Sequence, residues 1–171
     1  IQETVKLLNI DSPTGYTDDA AEFVLTELRA LGYAPTKTRK GGVLVDLGGA
    51  DAENGVMLET HLDTLGGMVA EIKSNGRLRL TNIGGMNANN AEAENVRVVT
   101  KFDGKYEGTL QLTDASIHVN GDYSTTARAW EKMEVVLDEN VSSADDVRAL
   151  GVSAGDFVCF DPRTRVTEKG Y

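Results

Sequence analysis

The hydrophobic positions at the start of the chain recur with a helical period. An amphipathic helix is predicted from residue 1, with Ile1, Val5 and Leu8 on one face, and its end is predicted at residues 7–10. A second helix is predicted between the N-cap Thr17 and a stop at Gly32. The apolar stripe of this second helix consists of Phe23, Val24, Leu28 and Leu31.

Short apolar runs then predict three strands, at residues 34–38, 43–47 and 56–58. The last run is predicted to be a short buried strand that leads into His61-Leu62-Asp63. Two helices followed by three strands indicate one layer of an α/β sandwich. This fold class is predicted for residues 1–66.

The pattern changes after Gly67 to short alternating strands separated by turn residues. A single helix interrupts them, capped by Ser143 with Asp146 as its capping-box partner. Such a series predicts a small closed β-barrel or a compact sandwich of roughly ninety residues. We therefore expect an inserted β domain at 67–160 and a return to the first domain at 161–171. The predicted strands are 68–73, 77–81, 96–100, 106–112, 133–137 and 157–160.

Composition excludes some partners. The hydrophobic fraction of 40% is ordinary for a globular protein, and the formal net charge is −10. That charge disfavours nucleic acids and anionic membranes, because few cations are available to neutralise phosphates. Cys159 is the one cysteine and lies in an apolar run, so we expect an inert buried thiol and a reducing, cytoplasmic location. No signal peptide or membrane-length apolar run is visible, and both ends suggest part of a longer chain.

His61 and Asp63 are the first candidates for chemistry. A histidine at the end of a strand can bind a metal through one ring nitrogen while a nearby carboxylate fixes its tautomer. The alternative from the residues alone is a partly buried histidine that is hydrogen-bonded to an aspartate. Glu59 either shares this site or is a strand residue turned to solvent.

The remaining candidates are less specific. His118 alternates with Ile117 and Val119 in a predicted β segment, which suits a surface or interface histidine as well as a ligand. No Cys-x-x-Cys, His-Glu-x-x-His or phosphate-binding loop is present. Paired carboxylates could hydrolyse a glycoside, but no pair stands out among the 27 acidic residues.

Several short motifs, in order, resemble the M42 family of metallo-aminopeptidases, which includes glutamyl and tetrahedral aminopeptidases and some proteins labelled endoglucanase. These motifs are Ser12-Pro-Thr-Gly15, the stretch 55–67 with His61-x-Asp63, Met68-Val-Ala-Glu-Ile72, Gly76-Arg-Leu-Arg-Leu80, Ile83-Gly-Gly85, Gly151 with Gly155-Asp156, and Phe160-Asp-Pro-Arg163. The resemblance covers essentially the whole chain.

The resemblance implies a partial α/β aminopeptidase domain with an inserted β-barrel domain that assembles subunits. It implies two divalent metal ions, zinc or cobalt, with His61 as a ligand of one and Asp63 as a catalytic-site residue whose carboxylate orients that histidine. The implied chemistry is removal of N-terminal residues from peptides, with metal-assisted attack of water and a glutamate as general base. Homo-oligomers are implied, dimers that build a twelve-subunit shell.

The departures limit what this chain is expected to do alone. By the resemblance, the other ligands and the general base lie beyond Tyr171, so only one direct ligand is present. Glu59-Thr60 replaces the small apolar residue that is common before the histidine. The alternatives are a catalytically inactive fragment that serves as an assembly or binding module, and a glycoside hydrolase of the endoglucanase type.

Overall fold

A computed structural model describes residues 1–51 and 53–170. The chain divides into two compact units, one of residues 1–64 together with the C-terminal residues from Pro162, the other of Leu65–Asp161. Tyr171, in the predicted last segment 161–171, lies outside the described residues. No helix in the described part of the chain is long and apolar enough to cross a membrane.

The second unit is a closed barrel of six antiparallel strands, which resolves the choice between barrel and sandwich. The strands are β3 (Gly66–Ile72), β4 (Leu78–Ile83), β5 (Asn95–Val99), β6 (Lys105–Leu112), β7 (Met133–Leu137) and β8 (Phe157–Phe160). Around the barrel the strands follow the order β3-β4-β7-β6-β5-β8, and β8 pairs with β3 to close it. Closure leaves no unpaired edge strand.

Alternating residues of these strands fill the barrel core. In β7, Met133, Val135 and Leu137 are all buried on one face. Gly108 in β6 is required because a Cβ there would lie only 2.6 Å from the carbonyl oxygen of Val136. The other core residues include Val69, Leu78, Leu80, Val96, Val98, Leu110, Leu112, Val147, Val152 and Val158.

One short helix, α3 (Ala144–Ala149), closes against the barrel core through the buried Val147. Its predicted capping box is present: the Ser143 hydroxyl accepts from the Asp146 backbone N–H, and the Asp146 carboxylate accepts from the Ser143 backbone N–H. Gly151, predicted as the stop, has a left-handed φ of 87° just after the helix.

A long loop, residues 113–129, connects β6 to the 3-10 helix Trp130–Lys132 and is held by Arg128. The guanidinium donates from Nε to Glu92 at 2.6 Å and from one terminal nitrogen to the Tyr123 carbonyl at 2.9 Å. It also lies 4.6 Å from the centre of the Tyr123 ring. The hydrogen bond from Arg128 is the main reason that the pKa of Glu92 is held below its ordinary value.

An outward-facing carboxylate of the barrel is fully buried. Glu134 follows Met133 in β7 and is 0% exposed. Lys73 Nζ lies 2.7 Å from one carboxylate oxygen, and the guanidinium of Arg77 contacts the other. Both cations are partly exposed, so they cover Glu134 while keeping contact with water.

The first unit contains two helices, α1 (Gln2–Leu8) and α2 (Asp18–Ala30), and an antiparallel pair of two-residue strands, β1 (Thr36–Lys37) and β2 (Val43–Leu44). Lys37 joins the hairpin to α2, with its Nζ 2.8 Å from Asp18 and 3.0 Å from Glu22. The two helices confirm the prediction, and Gly32 ends α2 in a left-handed conformation. The predicted strand 43–47 has only its first two residues in a strand.

Two predictions for this unit are wrong. The buried face of α2 consists of Ala20, Ala21 and Leu25, whereas Leu31 is exposed and the rest of the predicted stripe is only half-buried. Alanine side chains are small, so the backbone of α2 can pack closely against its neighbours. A prediction based on large apolar residues does not detect such a face. The run 56–58 is not a strand, and its three residues are 80–87% exposed. A strand needs a hydrogen-bonded neighbour, and no described residue pairs with this run.

Candidate metal-binding site

The segment that carries the predicted site is held by a turn from the start of the chain. Thr64 donates its backbone N–H to the carbonyl of Ser12 at 2.8 Å, and Pro13 and Thr64 form a parallel bridge. Ser12 is only 2% exposed, and its hydroxyl donates to the Leu62 carbonyl at 3.0 Å. The residues on both sides of Asp63 are therefore fixed by their main chains.

The turn itself is built from Ser12-Pro-Thr-Gly15. Tyr16 donates its backbone N–H to the carbonyl of Pro13 at 2.7 Å, and Gly15 adopts a φ of 97°. A positive φ at the third position of a turn suits glycine, and proline is common earlier in turns. This geometry leaves the side chain of Thr14 next to that of Asp63.

Asp63 uses its two carboxylate oxygens for different partners. The Thr14 hydroxyl donates to Oδ2 at 2.5 Å, and Oδ1 lies 3.2 Å from Nδ1 of His61. The same Nδ1 lies 2.9 Å from the main-chain oxygen of Asp63. Both atoms facing Nδ1 are acceptors, so Nδ1 carries a proton. In the neutral ring, Nε2 then has the lone pair that a metal would use.

The electrostatics favour an ionised Asp63. The hydrogen bond from Thr14 is the largest reason that the pKa of Asp63 lies below its ordinary value, and His61 adds a smaller coulombic contribution. The imidazole of His61 is itself 84% exposed. The histidine is thus exposed, whereas the alternative from the residues alone was a partly buried histidine.

The donor set fits one metal ligand and not a complete site. Nε2 of His61 has no hydrogen-bond partner within the described part of the chain. No group of three or more His, Cys, Asp or Glu residues capable of holding a metal occurs among the described residues. A catalytic zinc needs about three protein ligands. The described chain thus presents one imidazole and the carboxylate that orients it.

None of the other candidates belongs to a group of described residues that could hold a metal. His118 is exposed in a turn, so its prediction as part of a β segment is wrong. The turn follows from the local bonds of this loop, in which Asn120 donates its backbone N–H to the Ser116 carbonyl at 2.8 Å. Glu59 is exposed and lies in no strand. Cys159 is buried, as predicted.

The sequence patterns identified neither Thr14 as a residue of the site nor Ser12 as a residue that holds the loop beside it. Both lie about fifty positions before the segment they hold, and the turn motif around Pro13 indicates a loop without indicating its partner. The resemblance of this loop to a family motif was the one available signal.

Comparison with known proteins decides the family. The sequence pattern of the M42 glutamyl aminopeptidases matches residues 41–171. The chain belongs to the M42 glutamyl aminopeptidase family. The Bacillus subtilis (strain 168) protein YhfE, whose name classes it with the aminopeptidases, is 39% identical over 166 residues, which cover 97% of this chain and 48% of that protein.

Solved structures show that this M42 chain shares its fold with known aminopeptidases. Aminopeptidase APDkam598 from the archaeon Desulfurococcus kamchatkensis superposes with a TM-score of 0.83 at 23% identity, covering 100% of this chain and 45% of that one. The Pyrococcus horikoshii TET1 peptidase superposes with a TM-score of 0.78 at 21% identity, covering 93% and 46%. The chain spans about half the length of the curated relatives that it matches.

Proposed function

We propose that the intact protein is a metal-dependent aminopeptidase that removes N-terminal residues from peptides. One observation carries the proposal: in a chain of the M42 family, Nδ1 of His61 is held by Asp63, which leaves Nε2 for a metal. The spacing of the two residues and the 3.2 Å contact support a ligand and its orienting acid.

Each residue has a defined role in this proposal. His61 binds one of two divalent ions, zinc or cobalt, through Nε2, and Asp63 fixes the tautomer and increases the basicity of the ring. Such ions, when bound, polarise the scissile carbonyl and lower the pKa of water. We propose that the general base and the further ligands lie outside the described residues, because these contain no group of three or more His, Cys, Asp or Glu side chains that could hold a metal.

We further propose that the protein self-associates through the barrel, as dimers that build a shell of up to twelve subunits. The name of the Pyrococcus horikoshii TET1 peptidase states that it can assemble into a tetrahedron or a large octahedral shell, and that protein shares this fold. A cytoplasmic location is proposed from the lone buried thiol of Cys159. Light scattering of the intact protein tests the assembly, and a monomer at micromolar concentration would contradict it.

The first experiment tests the site. His61→Ala in the intact protein is expected to lower the bound metal, measured by plasma mass spectrometry, by about one ion per chain, because one of roughly three protein ligands is lost. His118→Ala, which alters an exposed turn histidine, is the matched control and should retain full metal content. Unchanged metal content in the His61 variant would contradict the proposal that His61 is a metal ligand.

The second experiment tests the reaction class. The intact protein is assayed on aminoacyl-anilides and on a soluble glucan, each with and without a chelator. Anilide cleavage that the chelator abolishes is expected. Cleavage of the glucan that resists the chelator would favour the glycoside hydrolase alternative, and hydrolysis of neither substrate would favour an assembly module.

A further inference from the structure

We propose that Thr14 is a positioning residue for the metal site: its hydroxyl locks the carboxylate of Asp63 so that the other oxygen faces His61. The inference rests on the proposed function, because it takes His61 as a metal ligand. It assigns a role to a residue that lies 49 positions from its partner in the sequence.

Asp63 needs such a lock. Its side chain is 38% exposed, so burial alone does not restrain it. Rotation of an aspartate carboxylate about its last torsion is soft, and many angles are accessible. The Thr14 hydroxyl, 2.5 Å from Oδ2, makes a charge-assisted hydrogen bond that selects one angle. At that angle Oδ1 lies 3.2 Å from Nδ1 of His61.

The position of Thr14 is itself well fixed. The bridge between Pro13 and Thr64 and the bond from Tyr16 to Pro13 hold the backbone on both sides of Thr14. Because the backbone of Thr14 is already held, forming the hydrogen bond from its hydroxyl to Asp63 costs little conformational entropy. Thr14 is exposed, so a change of its side chain does not disturb a packed core.

Ser12 offers a matched control within the same turn. Its hydroxyl bonds the main-chain carbonyl of Leu62 and does not touch the carboxylate of Asp63. Ser12→Ala should therefore loosen the attachment of the turn, whereas Thr14→Val removes only the bond to the carboxylate. A lower melting temperature with unchanged metal affinity is expected for the serine variant, because the main-chain bond from Thr64 to Ser12 and the bridge between Pro13 and Thr64 remain and still place Thr14.

The experiment measures zinc affinity of the intact protein by competition with a chromogenic chelator, without substrate. Thr14→Val should weaken zinc binding on the order of tenfold, the lower end of the range for partners of metal-ligating histidines. Thr14→Ser keeps the hydroxyl and should stay within about twofold of the wild type. In an Asp63→Ala background, Thr14→Val should have no further effect, because the two residues act as one unit.

Three results would overturn the inference: wild-type affinity in Thr14→Val, equal loss in Thr14→Ser, or a full tenfold loss that persists without Asp63. If Thr14→Val does not fold, the comparison of Thr14→Ser with Thr14→Ala decides in its place. His61→Ala separates this inference from the proposed function. If His61→Ala keeps its zinc affinity, the proposed metal site itself is contradicted. If His61→Ala loses zinc affinity but Thr14→Val does not, only the role of Thr14 is contradicted.

Discussion

The buried carboxylate of Glu134 makes a sharp prediction about the barrel. Lys73 and Arg77 both contact it, and replacement of either by methionine keeps an apolar stem of similar length over the strand. We expect each single variant to lose a little free energy of unfolding. The double variant should lose far more than the sum of the two single losses. The reason is that one remaining cation can still compensate the charge.

The magnitudes follow from the exposures. Each cation is about one-third exposed, so screening by water limits a single loss to about 1 kcal/mol in the free energy of unfolding. Glu134 is 0% exposed, and a buried charge without a partner costs about 3–5 kcal/mol. The coupling energy in the double-mutant cycle should therefore be about 1–3 kcal/mol.

The barrel contains its own probe. Trp130, the one tryptophan of the sequence, packs against the barrel core and donates its Nε1–H to the Met86 carbonyl at 3.3 Å. Urea unfolding followed by its fluorescence reports on this unit. Arg79→Met is the control, because Arg79 pairs with Glu71 at the surface, and its cost should stay below about 0.5 kcal/mol.

Additive single costs, or a double variant within about 1 kcal/mol of the wild type, would refute this reasoning. A third substitution, Glu134→Leu, should restore most of the stability lost in the double variant, because it removes the uncompensated charge and keeps the volume. Failure of this rescue would show that the methionines disturb packing instead.

Two further predictions concern the same barrel. Glu92→Gln should flatten the acid limb of the plot of unfolding free energy against pH. The pKa of Glu92 in the folded protein is depressed by Arg128, so the stabilisation from this carboxylate is present above its ordinary pKa of 4.5. That stabilisation is lost as the pH falls through the folded pKa. Urea midpoints between pH 3 and 7 measure this, and equal slopes in wild type and variant would contradict it. Gly108→Ala should lower the free energy of unfolding by about 1–3 kcal/mol, because the new Cβ meets a backbone oxygen. Gly85→Ala is the control: no atom lies within 4 Å of its new Cβ, so its melting temperature should be nearly that of the wild type.

The barrel was largely predictable because its signals are local. Residues 133–137 and 157–160 alternate or run apolar between turn residues, and the structure has strands at both positions. The capping box of Ser143 and Asp146 lies within four residues and is likewise present. Strand existence and turn chemistry depend on neighbours in sequence, which is what a pattern records.

The first unit was less predictable because its elements depend on contacts that the pattern does not contain. The run 56–58 is as apolar as a buried strand, yet the described residues give it no neighbour to pair with. For α2, the side that is buried depends on what packs against it, and Ala20 and Ala21 take that side. The α/β class of this unit stays a prediction beyond its two helices and its hairpin.

In the candidate site too, contacts between neighbours in sequence could be predicted and distant contacts could not. His61 and Asp63 are two residues apart, so their proximity could be predicted from the sequence. The contact of Asp63 with Thr14 spans 49 residues, and no period or spacing connects them. Only the fold of the turn around Pro13 brings the hydroxyl to the carboxylate.

The chemical nature of the donor at position 14 also matters. A lysine or arginine could hold the carboxylate of Asp63 at least as firmly, but its charge would offset that of the carboxylate facing His61. A neutral hydroxyl restrains the rotation and leaves the negative charge in place. In the proposed metal site, a negative charge beside Nδ1 increases the basicity of the ring and so strengthens it as a ligand at Nε2. Thr14→Lys should therefore weaken metal binding even if Oδ1 keeps its 3.2 Å distance to the ring, a result that positioning alone would not give.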